Sequence, residues 1–161
     1  LCSCPKYSKE IWAIKKRPIS KPLILMGGCL DDLFEFVHPC AVEDGLKLAK
    51  IYWPGALTIV LPTIGNLSEQ LNCHSNSVGF RVPALGLARD LLMETGPLAT
   101  TSANISGQAP VKDEIEAEIT FPGIPILSPI PWPKSSGMAS TVVEWEKGKW
   151  NLLRPGSVVL N

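Results

Sequence analysis

Short apolar runs that end at proline or glycine recur along the chain and alternate with segments of helical, amphipathic spacing. Pro22–Met26, Ala56–Leu61 and Ser77–Val82 are such runs, and their β-branched residues favour strands. Leu98–Ser102 follows Gly96-Pro97 and continues the series. Because strands that alternate with helices build layered sheets, this pattern predicts an α/β fold.

The segments between these runs predict helices and connections. Helices are predicted over Tyr7–Lys16, Leu30–Val37, Val42–Tyr52, Leu85–Thr95 and Lys112–Ile119. A loop is predicted at Gly65 and Asn66, and proline-rich Phe121–Lys134 is expected to be an irregular surface connection. Ser140–Trp145 and Trp150–Leu153 flank a Lys-Gly-Lys turn and predict a terminal β-hairpin.

Size and charge limit the classes of protein that this chain can represent. Its 161 residues, 45% of them hydrophobic, fit a single domain over 1–161 with an apolar core. Fifteen Lys and Arg balance fifteen Asp and Glu, which excludes a uniformly polycationic protein. Any contact with phosphate or nucleic acid must therefore come from a local basic cluster.

Two features concern the compartment. No segment approaches the roughly 18 to 20 uninterrupted apolar residues that cross a bilayer, so no membrane partner is expected. Five cysteines, an odd number without regular spacing, favour a reducing compartment such as the cytoplasm. Cys2-Ser3-Cys4 has no His or second cysteine pair that would complete a metal site, and no protein metal ligands are predicted.

A basic turn lies between the first predicted helix and the first predicted strand. It contains Lys15, Lys16, Arg17 and Lys21. A triphosphate needs several converging donors, and arginine grips phosphate oxygens bidentately where lysine acts as a point charge. The alternative is a solvated basic helix end that complements the helix dipole.

Pro97–Gly107, reading PLATTSANISG, presents hydroxyls and an amide where an ordinary core strand would carry aliphatic side chains. Ser102 and Asn104 face the same way in an extended chain. With Thr100 and Thr101 they would hydrogen-bond a polar ligand, and Gly107 would allow close approach of the backbone. The alternative is a polar edge strand.

Two arginines follow apolar stretches. Arg81 lies in GFRVP and Arg154 in LLRPG. A half-buried arginine needs an anionic partner, which is either a ligand or a structural Asp or Glu. A hydrolytic triad is not expected, because His38 and His74 fall in predicted loops without an orienting acid.

Six motifs occur in a fixed order between Ile11 and Gly156. They are KKRPISKPLIL, YWPGALTIVLP, VGFRVP, PLATTSANISG, ASTVV and LLRPG. Together they resemble the YrdC-like threonylcarbamoyl-AMP synthase family. The resemblance implies a twisted mixed sheet with flanking helices, the double-stranded-RNA-binding type of α/β twist, around a deep basic cavity. It also implies a nucleotidyltransferase that condenses L-threonine, bicarbonate and ATP to threonylcarbamoyl-AMP and pyrophosphate for tRNA modification.

The resemblance assigns roles by matching positions. Lys15 and Arg17 would bind the ATP phosphates and act in catalysis, with Lys21 nearby, while Ser102, Asn104 and Arg154 would contact the nucleotide. Arg81, Thr100 and Ser140 would hold threonine, and Met26 stands where some members have histidine. Mg2+ is expected to accompany ATP.

The resemblance further implies partners and one departure. The expected partners are tRNA or double-stranded RNA and a downstream threonylcarbamoyl-transfer complex. Family members carry a strand and a PTDTxYGL-like segment that would precede Leu1, so we expect the chain as given to lack them. A segment there could also carry a transit peptide to an organelle. Two other functions remain open: a non-catalytic RNA-binding module, and a carbamoyltransferase domain that forms a carbamoyl adenylate.

Overall fold

A computed structural model describes residues 1–72, 74–133 and 137–160. Within these ranges one mixed sheet has the order β1-β5-β2-β4-β3-β6-β7. Its strands are β1 Cys2–Ser3, β2 Ile24–Met26, β3 Leu57–Pro62, β4 Ser77–Arg81, β5 Leu98–Thr100, β6 Thr141–Glu146 and β7 Lys149–Arg154. The β2–β4 and β3–β6 pairs are parallel and the other neighbouring pairs are antiparallel. This confirms the predicted mixed α/β sheet.

Helices flank the sheet. They are α1 Ser8–Ile14, α2 Asp31–Phe34, α3 Pro39–Tyr52, α4 Leu67–Leu71, α5 Gly86–Thr95 and α6 Glu114–Thr120, with a 3-10 turn at Pro5–Tyr7. The prediction for α3 began too late, at Val42. The helix starts at Pro39 because the His38 side chain accepts a hydrogen bond from the backbone N–H of Cys40, and proline suits the first helical position.

Further predicted boundaries differ from the structure for local reasons. α2 ends at Phe34, short of the predicted Val37, because Val37 pairs with Thr63 in an isolated bridge. The segment after the predicted loop at Gly65 and Asn66, for which no helix was predicted, contains α4, which has five residues, too few for a clear periodic signal. Pro62 closes β3 as its last residue, whereas the sequence placed it just beyond the strand.

The C-terminal hairpin is confirmed. β6 and β7 pair from Glu146 and Lys149 onward, with a register shift between Val143 and Val142, and Lys147 and Gly148 both have positive φ, as a type I′ turn requires. The described part of the proline-rich connection, 121–133, contains no helix or strand. Cys73 and Lys134, which belong to the predicted cysteine set and to this connection, lie outside the described residues.

The two faces of the sheet have opposite characters because side chains alternate along each strand. One face forms the core, with side chains that are completely buried: Leu25, Leu57, Ile59, Leu61, Phe80, Ala99 and Val143. α3 packs closely on this face, since a Cβ added at Gly45 would meet Leu61 Cδ1 at 3.0 Å. The opposite face of the sheet carries the site described below. None of the helices in the described ranges has the length and apolar character that crossing a membrane requires.

Candidate active site

A cleft of about 570 Å3 lies on the face of the sheet away from the core. Its floor consists of Ile24, Met26, Thr58, Val60, Gly79, Arg81, Thr100 and Val142. Its rim includes Arg17, Thr101, Ser102, Met138, Ser140, Glu144, Leu153 and Arg154. A second pocket, of about 440 Å3, is lined by other residues, and none of them is Lys or Arg. The cleft is therefore the better candidate for an anionic ligand.

Three arginines reach the cleft, and the protein supplies them with neutral acceptors. Arg17 donates to the Pro22 carbonyl at 2.9 Å, and Arg81 Nε donates to the Gly55 carbonyl at 2.8 Å. Arg154 donates to the Ser140 carbonyl at 2.9 and 3.1 Å and to Ser140 Oγ at 3.0 Å. These bonds hold the guanidinium groups in place without neutralising them.

In the part of the chain that the structure describes, no acidic side chain lies within salt-bridge distance of these arginines. Across the described ranges the one ion pair joins Lys47 and Glu43, both exposed. Burial lowers the pKa of Arg17. The pKa of Arg81 is also lowered, mainly by burial and to a smaller extent by repulsion from Arg154. Because arginine still keeps its proton, the cleft concentrates positive charge that an anion would neutralise. The structural Asp or Glu left open for Arg81 is not found among the described residues.

Lys15 lies beneath the cleft wall, with no exposed surface. Its ammonium donates to the carbonyl of Ser102, to the Asn104 carbonyl at 2.7 Å and to Asn104 Oδ1 at 2.8 Å. The Ser106 N–H donates in turn to the Lys15 carbonyl at 3.0 Å. Lys15 therefore ties the basic turn to a loop almost ninety residues away, and it does not line the cleft.

The loop over Lys15 begins where β5 ends. The predicted strand Leu98–Ser102 stops at Thr100, because the chain then turns over the buried ammonium. Ser102 and Asn104 lie beyond the strand, so the predicted strand alternation does not apply to them, and their side chains meet in the loop, where Ser102 Oγ donates to Asn104 Oδ1 at 2.6 Å. Asn104 Nδ2 donates to the Ile105 and Gln108 carbonyls, which fixes the loop, and Gly107 closes it at φ +88°.

Hydroxyl groups border the arginines. Thr100 Oγ1 donates to the Ile24 carbonyl at 3.4 Å. Ser140 Oγ lies 3.0 Å from Thr58 Oγ1, and this contact is buried. Thr58 belongs to the WPGALT motif, but the sequence reasoning gave it no role. The sequence signal that could have identified it is a single threonine in an otherwise aliphatic strand.

The fold thus brings together six of the predicted site residues: Arg17, Arg81, Thr100, Ser102, Ser140 and Arg154. Lys15 and Asn104 support the rim from behind. Lys21 is exposed and outside the cleft lining, and its carbonyl accepts from the Trp12 indole at 2.9 Å. Met26 lies on the cleft floor.

The buried ammonium predicts a dependence of stability on pH. Desolvation, with Arg17 as the smaller cause, lowers the pKa of Lys15 from 10.5 to about 8. Between these values the unfolded chain binds more protons than the folded chain, so the free energy of unfolding contributed by Lys15 rises with pH. We expect urea unfolding to show this rise for the wild-type chain and a weaker rise for Lys15→Met. Equal slopes for the two chains would contradict the shift.

The comparisons with known proteins identify the family. A family model for Sua5, YciO and YrdC proteins, described as "Telomere recombination", matches residues 1–156. The chain belongs to the Sua5/YciO/YrdC family. The fold agrees with this assignment, because solved Sua5 structures superpose on the chain at 32% sequence identity.

Relatives in this family carry a consistent name. The "Threonylcarbamoyl-AMP synthase" of Bos taurus is 32% identical over 161 residues, covering 96% of this chain and 57% of the relative. That of Bacillus subtilis (strain 168) is 35% identical over 153 residues, covering 93% of this chain and 44% of the relative. The chain thus spans about half the length of these relatives.

Two solved structures of P. abyssi Sua5 are similar to the chain. A doubly substituted form superposes with a TM-score of 0.83, covering 93% of this chain and 46% of that protein. The form "complexed with L-threonine" gives a TM-score of 0.80, covering 94% and 44%. These values confirm the expected YrdC-like α/β fold.

Proposed function

We propose that the chain is the catalytic domain of an L-threonylcarbamoyladenylate synthase. It would condense L-threonine, bicarbonate and ATP to threonylcarbamoyl-AMP and pyrophosphate. The observation that carries this proposal is the convergence of Arg17, Arg81 and Arg154 on one hydroxyl-lined cleft, with no salt-bridge partner for them among the described residues. The name shared by the relatives and the L-threonine bound to P. abyssi Sua5 support the same reaction.

The proposed chemistry needs positioning and charge neutralisation, with no covalent bond to the protein. The threonine amine adds to the carbon of bicarbonate or carbon dioxide and gives a carbamate, with loss of water in the case of bicarbonate and of a proton in the case of carbon dioxide. A carbamate oxygen then attacks the α-phosphorus, and the bond to pyrophosphate breaks. Phosphoryl and nucleotidyl transfers of this kind depend on cations that hold the phosphates in line.

Each predicted residue has a place in this proposal. Arg17 would hold the ATP phosphates, with Ser102 and Arg154 on the nucleotide, while Arg81, Thr100 and Ser140 would hold threonine. Lys15 and Asn104 would act through the loop that carries Ser102, and the Lys15 charge would reach the phosphates from beneath it. Lys21 would attract the nucleotide from outside the cleft.

Mg2+ would enter as part of the ATP complex. The residues of the cleft fit this arrangement, because three arginines repel a free divalent cation and Glu144 is the acidic side chain in the described lining. No group of three or more His, Cys, Asp or Glu side chains comes together in the described ranges. The phosphates would therefore supply the ligands of the metal, which would neutralise charge on the leaving pyrophosphate.

The product adenylate would serve tRNA modification. We propose that a downstream threonylcarbamoyl-transfer complex accepts it and that the protein acts in the cytoplasm, or in an organelle where a transit peptide precedes it. A mixed anhydride of this type hydrolyses readily, so the next enzyme would have to use the adenylate soon after its release.

A pyrophosphate assay tests the proposal. The full-length protein, given MgATP, bicarbonate and L-threonine, is expected to release pyrophosphate at a rate that requires all three substrates. Release that requires ammonia in place of threonine, so that bicarbonate forms carbamate, would favour the carbamoyl-adenylate-forming alternative. Salt-sensitive tRNA binding without nucleotide binding in calorimetry would favour the RNA-binding module.

A further inference from the structure

Thr58 is a buried polar side chain on the floor of the cleft. It lies in β3 with 1% of its surface exposed, and it faces the cleft between two completely buried neighbours, Leu57 and Ile59. β3 pairs in parallel with β6, and this pairing sets Thr58 beside the segment that carries Ser140. Thr58 Oγ1 lies 3.0 Å from Ser140 Oγ as a result.

One of the two hydroxyl protons of this pair has no acceptor among the described residues. Arg154 Nη2 donates to Ser140 Oγ at 3.0 Å, and a guanidinium has no lone pair with which to accept. The two hydroxyls together have two protons, of which one lies in the bond between them. Neither hydroxyl has a further acceptor among the described residues. One O–H therefore remains to be donated, whichever of the two residues holds it.

The surroundings determine which acceptor this proton suits. Arg154 contacts the pair directly, and Arg81 lies close enough for Arg154 to lower its pKa. Both guanidinium groups lack an acidic partner in the described ranges. A site that combines two such charges with a free hydroxyl proton matches an anionic oxygen better than a neutral one.

We propose that Thr58 is a further substrate-binding residue: Ser140 donates to Thr58 Oγ1, and Thr58 donates the remaining proton to the carboxylate of the amino-acid substrate beside Arg81. The identity of that substrate rests on the function proposed above. The hydroxyl pair then acts as a donor of fixed position, because the strand pairing and Arg154 hold both oxygens before the ligand binds.

Substitution of Thr58 tests this role. Thr58→Val removes the hydroxyl at nearly constant volume, and we expect both the KM and the calorimetric Kd for L-threonine to rise about tenfold to a hundredfold. The KM for ATP should stay within about twofold, since a lost carboxylate contact does not affect phosphate binding. Thr58→Ser keeps the hydroxyl and should retain L-threonine affinity within about threefold.

A matched control is Thr63→Val, because the Thr63 hydroxyl bonds the Asn76 carbonyl outside the cleft. It should leave both KM values unchanged. If Thr58→Val does not fold, Thr58→Ala also removes the hydroxyl, together with the Cγ2 methyl group that lies near Gly79. L-2-Aminobutyrate, which has a carboxylate but no hydroxyl, should lose as much affinity as L-threonine in Thr58→Val.

The outcomes separate this inference from the proposed function. Unchanged L-threonine binding by a folded Thr58→Val protein would overturn the inference while leaving the synthase proposal in place. An effect that disappears with L-2-aminobutyrate would overturn the assignment to the carboxylate. If the wild-type protein binds L-threonine through Thr58 but releases no pyrophosphate, the inference holds and the synthase proposal fails. Absence of L-threonine binding by the wild-type protein would overturn both.

Discussion

Replacement of Arg17 by alanine is expected to lower kcat/KM for ATP by about a hundredfold to a thousandfold. The Arg17 guanidinium has five N–H donors, and three bonds to the protein, at 2.9, 3.4 and 3.5 Å, leave two of them available. Its position on the cleft rim would direct these donors to the phosphates. Steady-state pyrophosphate release at varied ATP concentration measures the effect.

Two variants separate the charge of Arg17 from its geometry. Arg17→Lys keeps the charge but not the planar fork, and should lose about tenfold in kcat/KM. Lys9→Ala removes one positive charge from the exposed surface of α1 and should change kcat/KM by less than about twofold. If Arg17→Ala retains the rate of the Lys9→Ala control, Arg17 does not contact the phosphates.

Replacement of Lys15 by methionine is expected to reduce pyrophosphate release at least about a hundredfold although Lys15 does not line the cleft. The substitution leaves the Ser102 and Asn104 carbonyls and Asn104 Oδ1 without their common donor. We expect the free energy of unfolding to fall by about 1–3 kcal/mol. The cost of leaving three buried acceptors without a donor is larger than the desolvation cost that disappears when the buried ammonium is removed. Urea unfolding and the pyrophosphate assay measure the two effects.

The control for this substitution is Lys47→Met, which breaks an exposed ion pair within α3 and should change the free energy of unfolding by less than about 0.5 kcal/mol. Lys15→Arg should not restore activity, because a fully buried space shaped for an ammonium does not admit the larger guanidinium. Normal activity in a folded Lys15→Met protein would show that the loop holds its shape without the ammonium.

Secondary structure was predictable wherever the local signal was strong. β2, β3 and β4 are short apolar runs between breakers, and their predicted cores agree with the structure. β1 has two residues and α4 has five, so neither offers enough positions for a periodic pattern. The boundary of β5 was misjudged because a buried ammonium from another segment turns the chain after Thr100.

Lys15 shows most clearly why residue type does not determine a residue's place in the site. In the sequence it is one of four cations in a turn, and nothing local distinguishes it from exposed Lys16. In the structure the loop after β5 covers it completely and supplies three oxygen acceptors. Burial of a charge depends on such distant partners, which no local pattern encodes.

By itself the sequence determined the alternation of strands and helices, the chemical types available for an anion site and, through six ordered motifs, the family. Only the tertiary structure decided that β4, β3 and β6 lie side by side, which brings Arg81, Thr58 and Ser140 together. Local propensities act over a few residues, whereas strand order and hydrogen-bond partners depend on contacts between distant segments. For that reason the remaining hydroxyl proton of the Thr58–Ser140 pair is visible in the fold and not in the sequence.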